Sequence, residues 1–374
     1  MSIYPTVRPS LTLDFQKSKQ LDPRISFSRS SSATYVEGGV VKYADEHQAR
    51  FEAEGLLIEE SRTNSQKWSS DFSQISSYSL INNGDGAVPV LDNTLYEAPD
   101  GSVTAQRWTL QITDTTDTGN QSGIQAGTSG IPAGAYVTVW AKSATGADQT
   151  VFLTSQGNDT FTVTSKWQRF DLGPRGTIPF RALARGTYTN AVVDILLWGV
   201  QMEAGAFCTS LIPTAGSTVT RAADVAQITG DNFSSWYNAS ESTFAVNYIS
   251  EFESSQQAVV AISDGTNNNR ISFRPRNSFG DSSGVRQFNV ALLANATPPN
   301  VPDSIGLSVD SFGAYLVNKN ASDSDITSVT MPVGVNKLEI GKVEQSLSFL
   351  NGHIARISYY SERLTNEQLE AITS

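Results

Sequence analysis

Short runs in which apolar and polar residues alternate set the pattern from the start of the chain. Leu11-Thr-Leu13-Asp-Phe15, Ile25-Ser-Phe27-Ser28, Ala33-Thr-Tyr35-Val36 and Val40-Val41-Lys-Tyr43 follow one another, with Glu37-Gly-Gly39 between the last two. A period of two sends successive side chains to opposite faces of a strand, and a Gly-Gly pair between two such runs suits a tight hairpin. Residues 1–60 therefore predict small strands and a hairpin. So short a segment encloses little core of its own and is expected to rest on a neighbour, as an adaptor.

From Ser61 to Gly216 strand-like runs recur between turn signals: Val103–Leu110, Tyr136–Ala141, Thr150–Thr154, Trp167–Leu172 and Ala191–Gly199. Regular short strands broken by Gly, Pro, Asn and Asp predict a β-sandwich or jelly roll. Val192 to Val200 is apolar on both faces except at Asp194, the pattern of a central strand covered on both sides. Ile212-Pro-Thr-Ala-Gly-Ser-Thr-Val-Thr-Arg221 has the composition of an extended connector, so a boundary is expected near Thr214–Gln227.

Eight further strand candidates follow, at 243–249, 257–262, 270–273, 287–293, 304–309, 314–317, 336–340 and 353–360. They make a second sandwich. At the end, Thr365 with Gln368 forms a capping box and Leu364 with Leu369 a hydrophobic staple, predicting a short closing helix. The expected architecture is all-β: an adaptor (1–60), a sandwich (61–216), a connector (217–241) and a jelly roll (242–374) with a short C-terminal helix.

Composition narrows the function. The 374 residues exceed the roughly 250–300 at which a single core stops growing. Only 17% are charged, and 26 Lys and Arg face 37 Asp and Glu for a net charge of -11, which repels a phosphate backbone. Nucleic acid is not an expected partner. One cysteine, Cys208, and two histidines, His47 and His353, give no disulfide and no zinc-spaced cluster, so neither metal nor cofactor is expected. The first residues lack a signal peptide's basic-then-apolar order, and no run approaches the ~18–20 apolar residues of a membrane span. A role outside the cell would then follow release by lysis.

Three stretches resemble a known family. Ile25-Ser-Phe-Ser-Arg29-Ser-Ser-Ser-Ala33-Thr-Tyr35-Val36, Gln48-Ala-Arg50-Phe51 and Gly55-Leu-Leu-Ile-Glu-Glu-Ser-Arg-Thr-Asn64 resemble the amino-terminal module of tailed-bacteriophage head-spike fibres and tail fibres or spikes. Trp198-Gly-Val-Gln-Met-Glu-Ala-Gly205, Thr209–Thr214 and Thr220-Arg-Ala-Ala-Asp224 are similar to the end of the carbohydrate-binding-module-like sandwich in those proteins. Leu350–Tyr360 with Arg363–Leu369 is similar to the closing strand and helix of concanavalin/laminin-G-like jelly rolls. The resemblance implies a non-enzymatic virion protein on the particle surface, held by capsid or tail proteins, attaching to host-surface polysaccharide, and homo-oligomeric with a trimer as the family guess. A free glycan-binding lectin is the alternative, with a polysaccharide depolymerase behind it.

Candidate chemistry follows from residue types. Tryptophan stacks on the C–H face of a sugar, and on the alternation above Trp140 lies with Tyr136, Thr138 and Lys142 opposite Val137, Val139 and Ala141. Trp140 is therefore the leading glycan-stacking candidate, with Trp108, Trp167 and Tyr136 beside it, whereas Trp198 reads as core. Arg29, Arg50, Glu59, Arg62 and Asn64 are candidates for virion attachment or domain orientation, the acids pairing with Arg62 and Arg221 with Asp224. Glycosidic cleavage needs two carboxylates roughly 5–10 Å apart. Glu251 with Glu253 and Asp323 with Asp325 have suitable spacing but sit among polar loop residues and read as solvated acids. Gly280-Asp-Ser-Ser-Gly284 departs from a protease nucleophile loop at its fourth position and reads as a turn.

Overall fold

The computed structural model describes residues 3–74, 76–126, 134–154, 159–174, 180–251, 257–266, 269–274, 287–291, 300–318, 324–326, 331–343 and 348–374. The protein is nearly all β, with a short helix at the C-terminus. It divides into two compact units. A terminal unit comprises Met1–Ser32, Ala44–Ser61 and Ala222–Ser374, and a middle unit comprises Ala33–Tyr43 and Arg62–Arg221.

The middle unit is a sandwich of two five-stranded antiparallel sheets. One runs Gln168–Pro174, Tyr136–Ser143, Val192–Glu203, Val103–Gln111, Val90–Glu97, and the other Thr160–Val163, Gln149–Thr154, Arg181–Arg185, Gln121–Ala126, Tyr78–Asn83. Alternate residues from both, Val137, Val139, Ala141, Val193 and Ile195 with Ile124, Val151, Leu153, Ala182 and Ala184, form the core between them. The expected central strand is there. Val192–Glu203 is buried from Val193 onward, and Asp194 takes a bidentate pair from Arg107 on the next strand at 2.8 and 2.6 Å.

The terminal unit is the second sandwich. Its larger sheet runs Ser324–Ile326, Gly313–Asn318, Asp303–Asp310, Glu241–Ser250, Gly352–Tyr360, Gly55–Ile58, Arg50–Glu52, and Leu11–Asp14 also pairs with Gly352–Tyr360. The smaller runs Ser26–Ser28, Val225–Thr229, Lys337–Ile340, Val260–Ser263, Arg270–Arg274, Gln287–Ala291. All eight strands expected between 243 and 360 form, within a residue or three at most ends.

The domain boundaries need correction. Residues 1–60 make no module of their own: Leu11, Leu13, Phe15, Leu56 and Ile58 are all but inaccessible within the terminal unit's core, and residues 33–43 belong to the middle unit. The physical reason is the one that made the segment look dependent, too few apolar residues to enclose a core. The expected connector is structured as well. Val219–Arg221 pairs with Arg62–Asn64, and Val225–Thr229 is an inner strand of the smaller sheet.

The closing helix, Asn366–Thr373, carries the capping box read from sequence. It lies on the outer face of the larger sheet, where Ser308 donates to Leu364 O at 2.7 Å and Tyr315 to Glu370 Oε1 at 2.7 Å. That face is small for this reason. A Cβ on Gly306 would lie 2.8 Å from both Leu369 Cδ1 and Thr373 Cγ2.

Candidate functional site

One step beyond the helix the outer face of the larger sheet opens. Ser304, Asn247, Arg356 and Asp14 are direct cross-strand partners on four adjacent strands, so they share a face and form a polar row. With neighbouring strands about 4.8 Å apart the row is about 14 Å long. Asn247 Nδ2 donates to Ser304 Oγ, and Lys17 N donates to Asp14 Oδ1 at 3.1 Å. Arg356 is exposed.

A bulge places the row. Asn247 opposes Arg356 but Tyr248 opposes Ile354, so Ala355 is an extra residue in the closing strand. On its far side the same strand changes partner there, pairing through Gly352–Ile354 with Gly55–Ile58 and through Arg356–Tyr359 with Leu11–Asp14. Bulges kink a strand and re-aim its side chains. Here the kink accompanies a cleft of about 640 Å³ lined by the row and by Gln16, Glu54, Ile249, Asn300 and Asp303.

Its inner wall holds a buried polar pair. Tyr248 Oη donates to Asp303 Oδ2 at 2.9 Å, and Asp303 Oδ1 accepts from Ser304 N at 2.8 Å. Burial, reinforced by the Asp303 charge and hydrogen bond, pushes the Tyr248 phenol well above its ordinary value, so it remains a donor. The cleft is thus a strip of donors and acceptors with small apolar surfaces at Ile249, Pro302 and Ala355. Beside it, Glu52, Glu54 and His353 each bring a ligand atom within 4.8 Å of the others, a group capable of holding a metal that no sequence spacing announced.

The residues singled out from sequence lie elsewhere. Trp108 is 3% exposed in the middle unit's core, because its partner in alternation, Leu110, also faces inward. Trp140 is on the outer face, as the alternation predicted, yet only 7% exposed. A bulge at Gly199, φ 67°, sets Trp198 opposite it, and Val41, Ala98, Ala105 and Leu211 complete a small apolar cluster there. Neither ring offers a face to a sugar. Trp167 is half-buried against that cluster, donating Nε1 to Glu97 O at 3.1 Å, and Tyr136 is half-buried with its phenol raised by burial and by Cys208. Of the four, these two keep accessible surface.

The basic and acidic candidates, with Asn64, are all buried within the chain. Arg29 and Arg50 meet at Asp224, and Arg50 also pairs with Glu59 at 2.7 Å. Arg62 lies over the Phe207 ring at 4.5 Å and donates to Ala204 O. Asn64 donates to Ile212 O at 2.9 Å and accepts from Gln66 N and Met202 N at 3.0 Å. Glu251 lies 3.8 Å from His353 Nδ1. Glu253, Asp323 and Gly280–Gly284 lie outside the described residues, as does the side chain of Asp325.

No family model matches the chain, and no curated protein matches it. Solved structures with β-rich domains do. Domain 4 of AbnA, an extracellular arabinanase from Geobacillus stearothermophilus, is 13% identical with a TM-score of 0.30, covering 41% of this chain and 73% of its own. The tandem CBM22 domains of Paenibacillus barcinonensis Xyn10C are 9% identical with a TM-score of 0.25, covering 80% and 98%. Trypanosoma rangeli sialidase is 10% identical with a TM-score of 0.26, covering 72% and 60%.

Proposed function

We propose that the chain is a non-enzymatic glycan-binding protein of the tailed-phage particle surface, and that the terminal unit's cleft takes an oligosaccharide of the host surface. The observation that carries the glycan reading is the polar row: Asn247, Arg356 and Asp14 present donors and acceptors at strand spacing along an open groove, with the buried Ser304 holding the Asn247 amide at one end. Sugar hydroxyls both donate and accept, so alternating partners at intervals of about 5 Å suit a chain of rings, and Ile249, Pro302 and Ala355 offer apolar surface for their C–H faces. The virion part of the reading rests on the resemblance of residues 25–64, 198–224 and 350–369. An appendage presents many copies, and repeated weak contacts raise avidity by orders of magnitude. Homo-oligomerisation, as a trimer by the same resemblance, supplies those copies.

Binding of the full chain to an array of bacterial surface polysaccharides, followed by calorimetry on the hits, tests the glycan reading. Arg356→Ala should weaken binding about 10- to 100-fold and Asn247→Ala about 2- to 10-fold, the cost of one charged and one neutral hydrogen bond, with Trp140→Phe as the unaffected control. Equal affinity in the first two variants would overturn the site. Antibody labelling of phage particles under the electron microscope tests the location: label at vertices or tail supports an appendage, and unlabelled particles leave a free glycan-binding protein.

A further inference from the structure

We propose that Glu52, Glu54 and His353 bind one divalent transition-metal ion, Zn²⁺ or Mn²⁺, at the side of the cleft. The three residues come from segments some three hundred positions apart, brought together by strand pairing: Leu57 opposes both His353 and Arg50, and Glu52 opposes Gly55. The turn carrying Glu54 sits hard against the closing strand, because Gly55 adopts φ 135° and an added Cβ there would run into the Ile354 carbonyl. One ligand atom from each of the three residues lies within 4.8 Å of the other two.

His353 is 5% exposed, with Nε2 at hydrogen-bond distance from Glu52 Oε2, 3.0 Å, and Nδ1 3.8 Å from Glu251 Oε1, just beyond hydrogen-bond reach. A metal ion would replace the proton between Nε2 and Glu52, and a small approach of Glu251 to Nδ1 would then hold the tautomer that gives Nε2 its lone pair. One imidazole and two carboxylates form the mixed donor set that Zn²⁺ and Mn²⁺ accept, whereas Ca²⁺ takes six or more oxygens. Bonds of about 2.0–2.2 Å put the ligands of a tetrahedral ion roughly 3.5 Å apart, so His353 Nε2 and Glu52 would open slightly from 3.0 Å and Glu54 would close from at most 4.8 Å. Glu52 and Glu54, both partly exposed, have the rotatable bonds to do so. An ion would also offset three carboxylates gathered around one ring. Because Glu54 lines the cleft as well, remaining coordination positions would open toward it. The metal site stands independently of whether the cleft takes a glycan.

Calorimetric titration of the full chain with ZnCl₂, MnCl₂ and, as a comparison, CaCl₂ tests this, with X-ray absorption on the zinc complex. The expected result is one Zn²⁺ or Mn²⁺ per chain, no matching Ca²⁺ site, and a shell of nitrogen and oxygen containing one imidazole. Glu54→Gln, a change at a partly exposed position, should weaken binding at least tenfold, and Glu251→Gln 10- to 100-fold. His47→Gln should change nothing. Absence of binding, a sulfur ligand, or folded Glu54→Gln and His353→Gln proteins that both retain wild-type affinity would overturn the site.

Discussion

Three donors meet one buried carboxylate at Asp224: Arg29 Nη1 at 3.0 Å, Arg50 Nη2 at 2.5 Å and Glu59 N at 2.9 Å. Burial works against the Arg50 charge, and Asp224 and Glu59 more than offset it, so its guanidinium is held above its ordinary value. Every member comes from the terminal unit, and together they fasten strands from residues 26–58 to the chain after Ala222. Asp224→Asn should therefore destabilise this unit by about 3–5 kcal/mol, because two buried arginines lose their shared counter-charge. Urea denaturation of the variant checks it; a loss below about 1 kcal/mol would mean the network is dispensable. Arg29, Arg50 and Glu59 were among the residues the sequence marked for attachment or domain orientation. What the sequence did not reveal was the pairing, since Arg50 lies 174 positions from Asp224, and a side chain's partner across a sheet is set by register.

Among elements, the strands that escaped the sequence pattern are the shortest or most polar. Arg50–Glu52 and Gly55–Ile58 are three and four residues long, too short for a period to show, and Gln121–Ala126 carries Gly123 at its centre. That glycine exists for a close approach: a Cβ would strike Ala182 O and the Leu183 side chain on the neighbouring strand. Gly55 is stricter still, combining a left-handed φ with contact against the closing strand. Gly55→Ala should cost at least about 2 kcal/mol through backbone strain and a displaced strand, read as a lower midpoint in thermal or urea unfolding. A variant as stable as the wild type would show that the turn relaxes freely. The closing helix was legible in detail because a capping box spans four residues and needs no tertiary partner.

Across the whole molecule, tyrosines in both units are held protonated by burial: Tyr78 in the middle unit, and Tyr237, Tyr248 and Tyr359 in the terminal unit, with Tyr237 pushed up to about 12. Each folded value lies above the unfolded value near 10. Their contribution to stability is therefore complete below pH 10 and lost as pH rises from there through the folded values. Alkaline titration should show phenolate absorbance from these residues appearing together with loss of the β-sheet circular dichroism signal; phenolate forming fully in a still-folded chain would contradict their burial. The all-β class, the two sandwiches, nearly every long strand and the closing helix were determined by the sequence alone, since period-two patterning and local caps are properties of consecutive residues. Only the tertiary structure decided that residues 1–60 divide between two units, that Trp108 and Trp140 are covered, and that Ser304, Asn247, Arg356 and Asp14 line one groove. The physical reason is that alternation names a strand's two faces, but what lies over each face is supplied by segments far away in the chain.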